Sequence, residues 1–310
     1  MEVSASKKIE ILEAMLRIRL FEEKILELIS IGEIDKGYHI SFGHEAAAVG
    51  VCSLLQRDDY VTSNHRGPLH YLAKGGDPRK LMAELYGKAT GCCSGKGGEM
   101  LLVDRSIGLL YSSTFVGANI SVAVGIGFAI KKKMTGQVVA AFFGDGASCN
   151  ASFHEALNIA AVHKLPVLFV CENNEYSINV HQSEWMAAVS VANMAAAYNI
   201  PGILVDGTSV FDVINAANEA IRRARNGEGP TLIDAKVVRI RSHKETVPDN
   251  RDPDLIRDCI SRDPLPRYIN ELMKQSILSD ELLLKMKEKI RREVEESVSF
   301  ARESPYPEEI

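Results

Sequence analysis

The stretch Val138-Val139-Ala140-Ala141-Phe142-Phe143-Gly144-Asp145-Gly146-Ala147, with Pro166-Val167-Leu168-Phe169-Val170-Cys171-Glu172-Asn173-Asn174 after it, decides the fold. Each apolar run reads as a strand, and the interval 151–163 reads as a helix, so the three form a βαβ unit. Crossovers of this kind are right-handed, which makes the two strands parallel and neighbours in one sheet. Gly144-Asp145-Gly146 and Asn173-Asn174 then open on the same sheet edge, where α/β proteins bind ligands.

The same alternation extends outward on both sides. A small-residue helix (Ile120 to Ile130) precedes the unit. A helix over 184–198, the short run Ile203-Leu204-Val205, a helix over 209–226 and a strand over 231–238 follow it. Strands alternating with helices of this length predict a parallel sheet with helices on both faces. Toward the N-terminus, Ile9, Leu12, Leu16, Ile25 and Ile29 mark an amphipathic helix over 6–31 that stops at Gly32. Gly- and His-rich loops fill 37–45 and 63–70, a helix fills 78–87, and a Gly-rich loop covers 91–98. After residue 243 the chain is charged and Pro-containing and reads as an exposed loop. It ends in a long helix over 280–302, with Ser279-Asp280 as cap residues. No linker interrupts the pattern, so residues 1–310 read as a single α/β domain with N- and C-terminal helical extensions.

Composition sets the outer limits. The 310 residues are 46% hydrophobic and carry a net charge of −5, which offers no electrostatic footing for nucleic acid or an anionic membrane surface. No apolar run reaches the roughly 18 residues of a membrane span, and residues 1–8 show neither a signal core nor an Arg-rich transit segment. Six cysteines (52, 92, 93, 149, 171 and 259) form no Cys-x-x-Cys pair, which speaks against a disulfide framework or a zinc site. That pattern fits a reducing cytoplasm, and Cys92-Cys93 reads as turn packing.

At the ligand edge, Asp145 offers an anionic oxygen and Asn174 a neutral one. With a backbone carbonyl nearby, such hard oxygens suit Mg²⁺, leaving positions for phosphate oxygens and water. Gly144 and Gly146 would let the backbone approach a phosphate closely. Gly-Asp-Gly alone would read as a strand-ending turn; its pairing with Asn-Asn in the matching context is what makes it informative. Rival phosphate motifs fail. Gly125-x-Gly127 lacks the third small residue of a dinucleotide fingerprint, and Gly91 to Gly97 lacks Walker A spacing.

Gly144-Asp145-Gly146 through Asn173-Asn174 resembles the thiamine diphosphate motif. His154-Glu155-Ala156-Leu157-Asn158, Lys164-Leu165-Pro166 and Cys171-Glu172-Asn173-Asn174-x-Tyr176 narrow the resemblance to the alpha subunit of the 2-oxo acid dehydrogenase first components of the pyruvate, branched-chain and acetoin types. It covers roughly residues 10–245. It implies a thiamine diphosphate-binding fold, with Asp145, Asn174 and the Tyr176 carbonyl as Mg²⁺ ligands and the Gly146 and Ala147 amides on the diphosphate. His65-Arg66-Gly67 resembles the family's diphosphate contact, and a guanidinium suits a phosphate through paired hydrogen bonds. Thr114 and Val116 match positions whose backbone meets the aminopyrimidine. The segment from Gly95 to Met100 resembles a Gly-Lys-Gly-Gly-Ser-Met loop whose glycines set geometry. His243 matches a loop histidine near the diphosphate and thiazolium, able to stabilise developing charge. His39 matches an active-site histidine of pyruvate-type relatives, and its role stays open between catalytic and structural.

Two departures stand out. Pro68-Leu69-His70 replaces the family's His-Gly, and Lys244-Glu245-Thr246-Val247-Pro248 lacks the serine that organellar members phosphorylate. The resemblance further implies decarboxylation of a 2-oxo acid, transfer of the acyl group to a lipoyl-bearing acyltransferase, and a beta subunit completing an α₂β₂ heterotetramer. That beta subunit would supply the glutamate that activates the cofactor. Acetoin cleavage or carboligation without lipoyl transfer is the alternative chemistry, and a non-catalytic subunit retaining the fold is the alternative class.

Overall fold

The computed structural model describes residues 3–308. Eight strands and ten α-helices follow in the order α1 (Ala5–Ser30), α2 (Glu45–Cys52), β1 (Tyr60–Ser63), α3 (Gly67–Ala73), α4 (Pro78–Leu85), β2 (Leu109–Ser112), α5 (Ala118–Lys133), β3 (Val139–Gly144), α6 (Ala151–Val162), β4 (Val167–Asn173), β5 (Tyr176–Ser177), β6 (Val180–His181), β7 (Gly202–Asp206), α7 (Val210–Arg225), β8 (Thr231–Lys236), α8 (Pro253–Ser261), α9 (Pro264–Lys274) and α10 (Asp280–Glu303). Six strands form one parallel sheet in the order β2-β1-β3-β4-β8-β7, and β5 and β6 make a small antiparallel hairpin. The expected parallel neighbours are present: β3 pairs with β4 over six residues, with Gly144 opposite Glu172. The chain runs outward from β1 to β2, then returns to β3 on the other side of β1. That reversal creates a crevice at the C-terminal strand ends.

Period-two alternation divides the central strands between two cores. Val139, Ala141 and Phe143 face a cluster built with α5 and α6, which includes Ile120, Phe153 and Leu157. Ala140 and Phe142 face the larger cluster, which gathers α1, α2, α4, α7, α9 and α10. Helix α5 lies very close to the sheet: a Cβ on Gly127 would stand 2.9 Å from a Val167 methyl. Its outward side carries Ser121, Gly125 and Ala129, all exposed. Among the described residues no helix is long and apolar enough to cross a membrane.

Three expectations change. The 63–70 stretch is loop only over 64–66, between the end of β1 and helix α3, whereas the expected 37–45 loop stands, with α2 beginning at Glu45. The expected helix over 184–198 is two 3₁₀ turns, Gln182–Glu184 and Ala192–Tyr198. The cause is tertiary: the buried Asp234 carboxylate on β8 accepts the Val191 and Ala192 N–H groups at 2.8 and 3.3 Å and pins that segment to the sheet. Finally, the loop after 243 gives way to α8 and α9. Each opens on an Asp-Pro pair whose carboxylate caps the first turn, Asp252 toward the Asp254 N–H and Asp263 toward the Leu265 N–H. Helix α10 starts as expected, with Ser279 accepting from the Leu282 N–H.

Asp234 also accepts from the Asn173 side chain at 3.0 Å, so three donors depend on it. Asp234→Ala leaves them buried without partners and is expected to cost about 3 kcal/mol in urea unfolding. A loss under about 1 kcal/mol would show that the 191–192 segment is held by other contacts.

Candidate active site

The crevice between β1 and β3 contains a cavity of about 300 Å³, lined from the ends of successive strands. Asn64, His65 and Arg66 follow β1; Ser113 to Gly117 follow β2; Gly144 to Ala147 follow β3; Asn174 and Tyr176 follow β4. His39, His44 and Met100 enter from the N-terminal loops and His243 from the loop after β8. Every site residue expected from the sequence lines this one cavity: His39, His65, Arg66, Thr114, Val116, Gly144, Asp145, Gly146, Ala147, Asn174, Tyr176 and His243.

Asp145 is 1% exposed, and its Oδ2 has no hydrogen-bond partner. Burial raises its carboxyl to about 6, against backbone N–H groups that pull it down. A buried anionic oxygen without a partner is costly, and a cation is the economical remedy. Asn174 stands across the gap between the strands. Its Oδ1 accepts the Tyr176 N–H at 3.1 Å and its Nδ2 lies 3.4 Å from His44 Nε2, which fixes the amide orientation. Above Gly144 nothing lies within 4 Å of where a Cβ would stand. At Gly146 a Cβ would stand 2.9 Å from Ser177 Oγ, so a larger residue would have to displace the Ser177 side chain of the β5 hairpin.

The opposite wall is cationic. Arg66 is buried, and one of its Nη groups donates to the Ile40 carbonyl. Behind this wall and outside the cavity lining, Arg239 is 1% exposed, lies over the Tyr176 ring at 5.3 Å and donates to the Ile178 carbonyl at 2.6 Å. Its Nε and other Nη have no partner, and burial, then Arg251, brings its guanidinium down to about 10. Three imidazoles meet beside Arg66: His39, His65 and His243 have ring centroids 4.7, 4.9 and 5.4 Å apart. Burial and then the Arg66 charge hold His65 well below the ordinary imidazole range and bring His243 down to about 3. Their nitrogens approach within 4.8 Å of one another, close enough for a transition metal. The neighbouring guanidinium opposes a dication there, whereas an anion at this wall would offset its field and favour protonated rings.

Beneath the cavity a second polar layer positions these groups. Glu172, fully buried at the end of β4, accepts from Asn64 Nδ2 at 3.2 Å and has His70 Nε2 3.3 Å and His44 Nδ1 3.7 Å from its oxygens. Burial alone would raise this carboxyl; His70 and His44 outweigh it and hold it far below the usual range. Glu99 clamps His39 through both its backbone N–H (2.9 Å) and Nδ1 (2.6 Å), leaving Nε2 for the cavity. Sequence reasoning missed Arg239, Glu172, His44, Asn64 and Glu99. Two signals were available: Glu172 sits immediately before Asn173-Asn174, and Arg239 lies three residues after a strand that points at the ligand edge.

A family model described as the dehydrogenase E1 component matches residues 13–310. The chain belongs to the dehydrogenase E1 component family. It is 40% identical to the alpha subunit of acetoin:2,6-dichlorophenolindophenol oxidoreductase of Bacillus subtilis, over 100% of this chain and 93% of that one. It is 37% identical to the chloroplastic pyruvate dehydrogenase E1 component subunit alpha-3 of Oryza sativa, over 98% and 74%. Against the pyruvate dehydrogenase E1 component subunit alpha of Zymomonas mobilis the identity is 36%, over 96% and 85%. As an E1 alpha-type subunit the chain is a thiamine-diphosphate-dependent oxidoreductase subunit. The residues present fit that cofactor, with a partnerless Asp145 oxygen for a bridging cation, an open cradle over Gly144, and a wall of guanidinium and imidazole for a polyanion.

Glu22 lies under the 37–44 loop, 1% exposed, accepting the Ser41 N–H at 2.8 Å. Burial raises its carboxyl from 4.5 to about 8. A carboxyl raised in the fold stabilises it fully below pH 4.5, and that contribution is lost as pH rises through about 8. Glu22→Gln is therefore expected to flatten the fall in thermal midpoint between pH 5 and pH 9. Parallel midpoint curves for variant and wild type would contradict the shift.

Proposed function

We propose that residues 1–310 form one domain that binds thiamine diphosphate through Mg²⁺. With a separate beta subunit in an α₂β₂ assembly, it decarboxylates a 2-oxo acid and passes the acyl group to a lipoyl acceptor. The observation that carries the proposal is the partnerless Asp145 oxygen, buried at a strand end that shares one cavity with Arg66 and three imidazoles. In this reading Asp145, Asn174 and the Tyr176 carbonyl hold the Mg²⁺. The backbone of Gly144 to Ala147, with His65 and Arg66, holds the diphosphate, and Thr114 and Val116 offer backbone groups to the aminopyrimidine end. When bound, the cofactor supplies a carbon nucleophile and an electron sink. The chain orients it, excludes water on the β4 side and places the His39 and His243 side chains where charge changes on the substrate.

Helix α5 supports the split site. Its exposed small residues, with Phe115 (77% exposed) and Val116 beside them near the cavity mouth, would suit close packing against the beta subunit. Six free thiols fit a reducing cytoplasm. A second reading, cleavage of acetoin, rests on the 40% identity to the acetoin oxidoreductase alpha subunit. Supplying pyruvate, branched-chain 2-oxo acids and acetoin in parallel, with and without a lipoylated acceptor, separates the two.

Asp145→Ala in the assembled enzyme is expected to weaken Mg²⁺-dependent cofactor binding in calorimetry by more than about 100-fold, beyond the usual loss when a group only orients a ligand. Asn174→Ala removes a neutral ligand and should cost less. Wild-type affinity in Asp145→Ala rejects the ligand assignment. The chain purified alone is expected to be inactive with cofactor and Mg²⁺ and to gain activity with its beta subunit. Robust turnover by the isolated chain would require an activating carboxylate within these 310 residues.

A further inference from the structure

Cys92 and Cys93 have no place in the site just described. Among the described residues their sulfurs and a Glu84 carboxylate oxygen lie within 4.8 Å of one another. Glu84 is not a free metal ligand, because it already accepts four backbone N–H groups: Cys93 at 2.7 Å, Gly95 at 2.9 Å, Gly97 at 2.7 Å and Gly98 at 3.2 Å. What remains is a pair of thiols, both free and both half-buried.

The pair sits on the loop that reaches the cavity. Cys93 Sγ accepts the Val103 N–H at 3.1 Å and lies 3.5 Å from both the Leu101 and Val103 carbonyl oxygens. It thereby fastens the segment that carries Glu99, the clamp on His39, and Met100, which lines the cavity. The Cys92 thiol beside it lowers the Cys93 thiol below the ordinary range, which favours Cys93 as the attacking thiolate of the pair.

We propose that Cys92 and Cys93 are a dithiol modification site for small-molecule disulfides, and that closing the Cys92–Cys93 bond loosens the loop that holds His39. The Cys93 thiolate attacks one sulfur of the small disulfide, forming a mixed disulfide and releasing one thiolate. The Cys92 thiol then gives up its proton and attacks the Cys93 sulfur, closing the intramolecular bond and releasing the second thiolate. Two protein thiols are oxidised and one small disulfide is reduced to two thiols. Consecutive Cα atoms stand only about 3.8 Å apart, short of the usual disulfide span of roughly 4.4–6.8 Å. The bond is therefore strained and readily reduced, as suits a transient switch in a reducing compartment. Its formation removes the Cys93 thiol from the Leu101 and Val103 backbone and leaves Glu99 less firmly placed.

The test uses the assembled enzyme with oxidised glutathione as the probe, read by peptide mass and by turnover. The peptide bearing Cys92 and Cys93 is expected to lose two hydrogen atoms, to recover them with dithiothreitol, and to retain glutathione instead in Cys92→Ser. Turnover is expected to fall about tenfold on oxidation, the low end for loss of a group that orients a site histidine. Cys93→Ser, which lacks the attacking thiolate, should keep its own turnover under the same treatment. Stable glutathionylation of the wild-type pair without an internal bond overturns the proposal, as does a closed bond with unchanged turnover. The activity readout rests on the proposed function; the mass readout does not, so an inactive assembly with a cleanly closing bond would reject only that function.

Discussion

A carboxylate oxygen buried without a partner, at the end of the strand that the whole sheet is built around, is the constraint on which the rest of this structure depends. Asp145 holds that position because β3 is buried on both faces and ends abruptly at Gly144. Burying an anion there is unfavourable unless a cation arrives, and a cation flanked by guanidinium and imidazole groups must bring an anion with it. The site is thus organised for a metal–polyanion pair and is electrostatically incomplete without one.

The supporting layers follow from that need. Glu172 neutralises the inner face of the site while holding Asn64, His70 and His44, and His44 in turn fixes the Asn174 amide. On the outer face, Glu99 turns His39 inward and Glu84 gathers four N–H groups to shape the loop that delivers Glu99. Buried carboxylates therefore do most of the positioning, each satisfied by several donors. Asp145 differs in position: its partnerless oxygen lies at the β3 end beside Gly144 and Gly146, whereas the partnerless Glu172 oxygen has the His44 ring 3.7 Å away.

The parallel sheet and its ligand edge were legible from two apolar runs, because strands buried on both faces have little freedom to be anything else. The residues proposed for metal and diphosphate share one cavity because they directly follow those strands. Helices α8 and α9 lie in a charged stretch whose composition reads as loop, although Asp252-Pro253 and Asp263-Pro264 carry the start signal. The 184–198 segment was misread for the opposite reason. Its alanine-rich sequence favours a helix, and only Asp234, more than forty residues downstream, claims its N–H groups. Arg239 and Glu172 escaped because their roles come from burial and from neighbours distant in sequence, which no local pattern reports.

The central claim is that one dication bridges Asp145 and Asn174 to the diphosphate. Crystals of the assembled enzyme with thiamine diphosphate and Mn²⁺ in place of Mg²⁺ test it directly, since Mn²⁺ keeps the preference for oxygen ligands and scatters anomalously. The account predicts an anomalous peak bonded to Asp145 Oδ2 and Asn174 Oδ1, with the phosphates against Arg66 and His65. A peak among His39, His65 and His243, or a bound cofactor with no metal at Asp145, would contradict it.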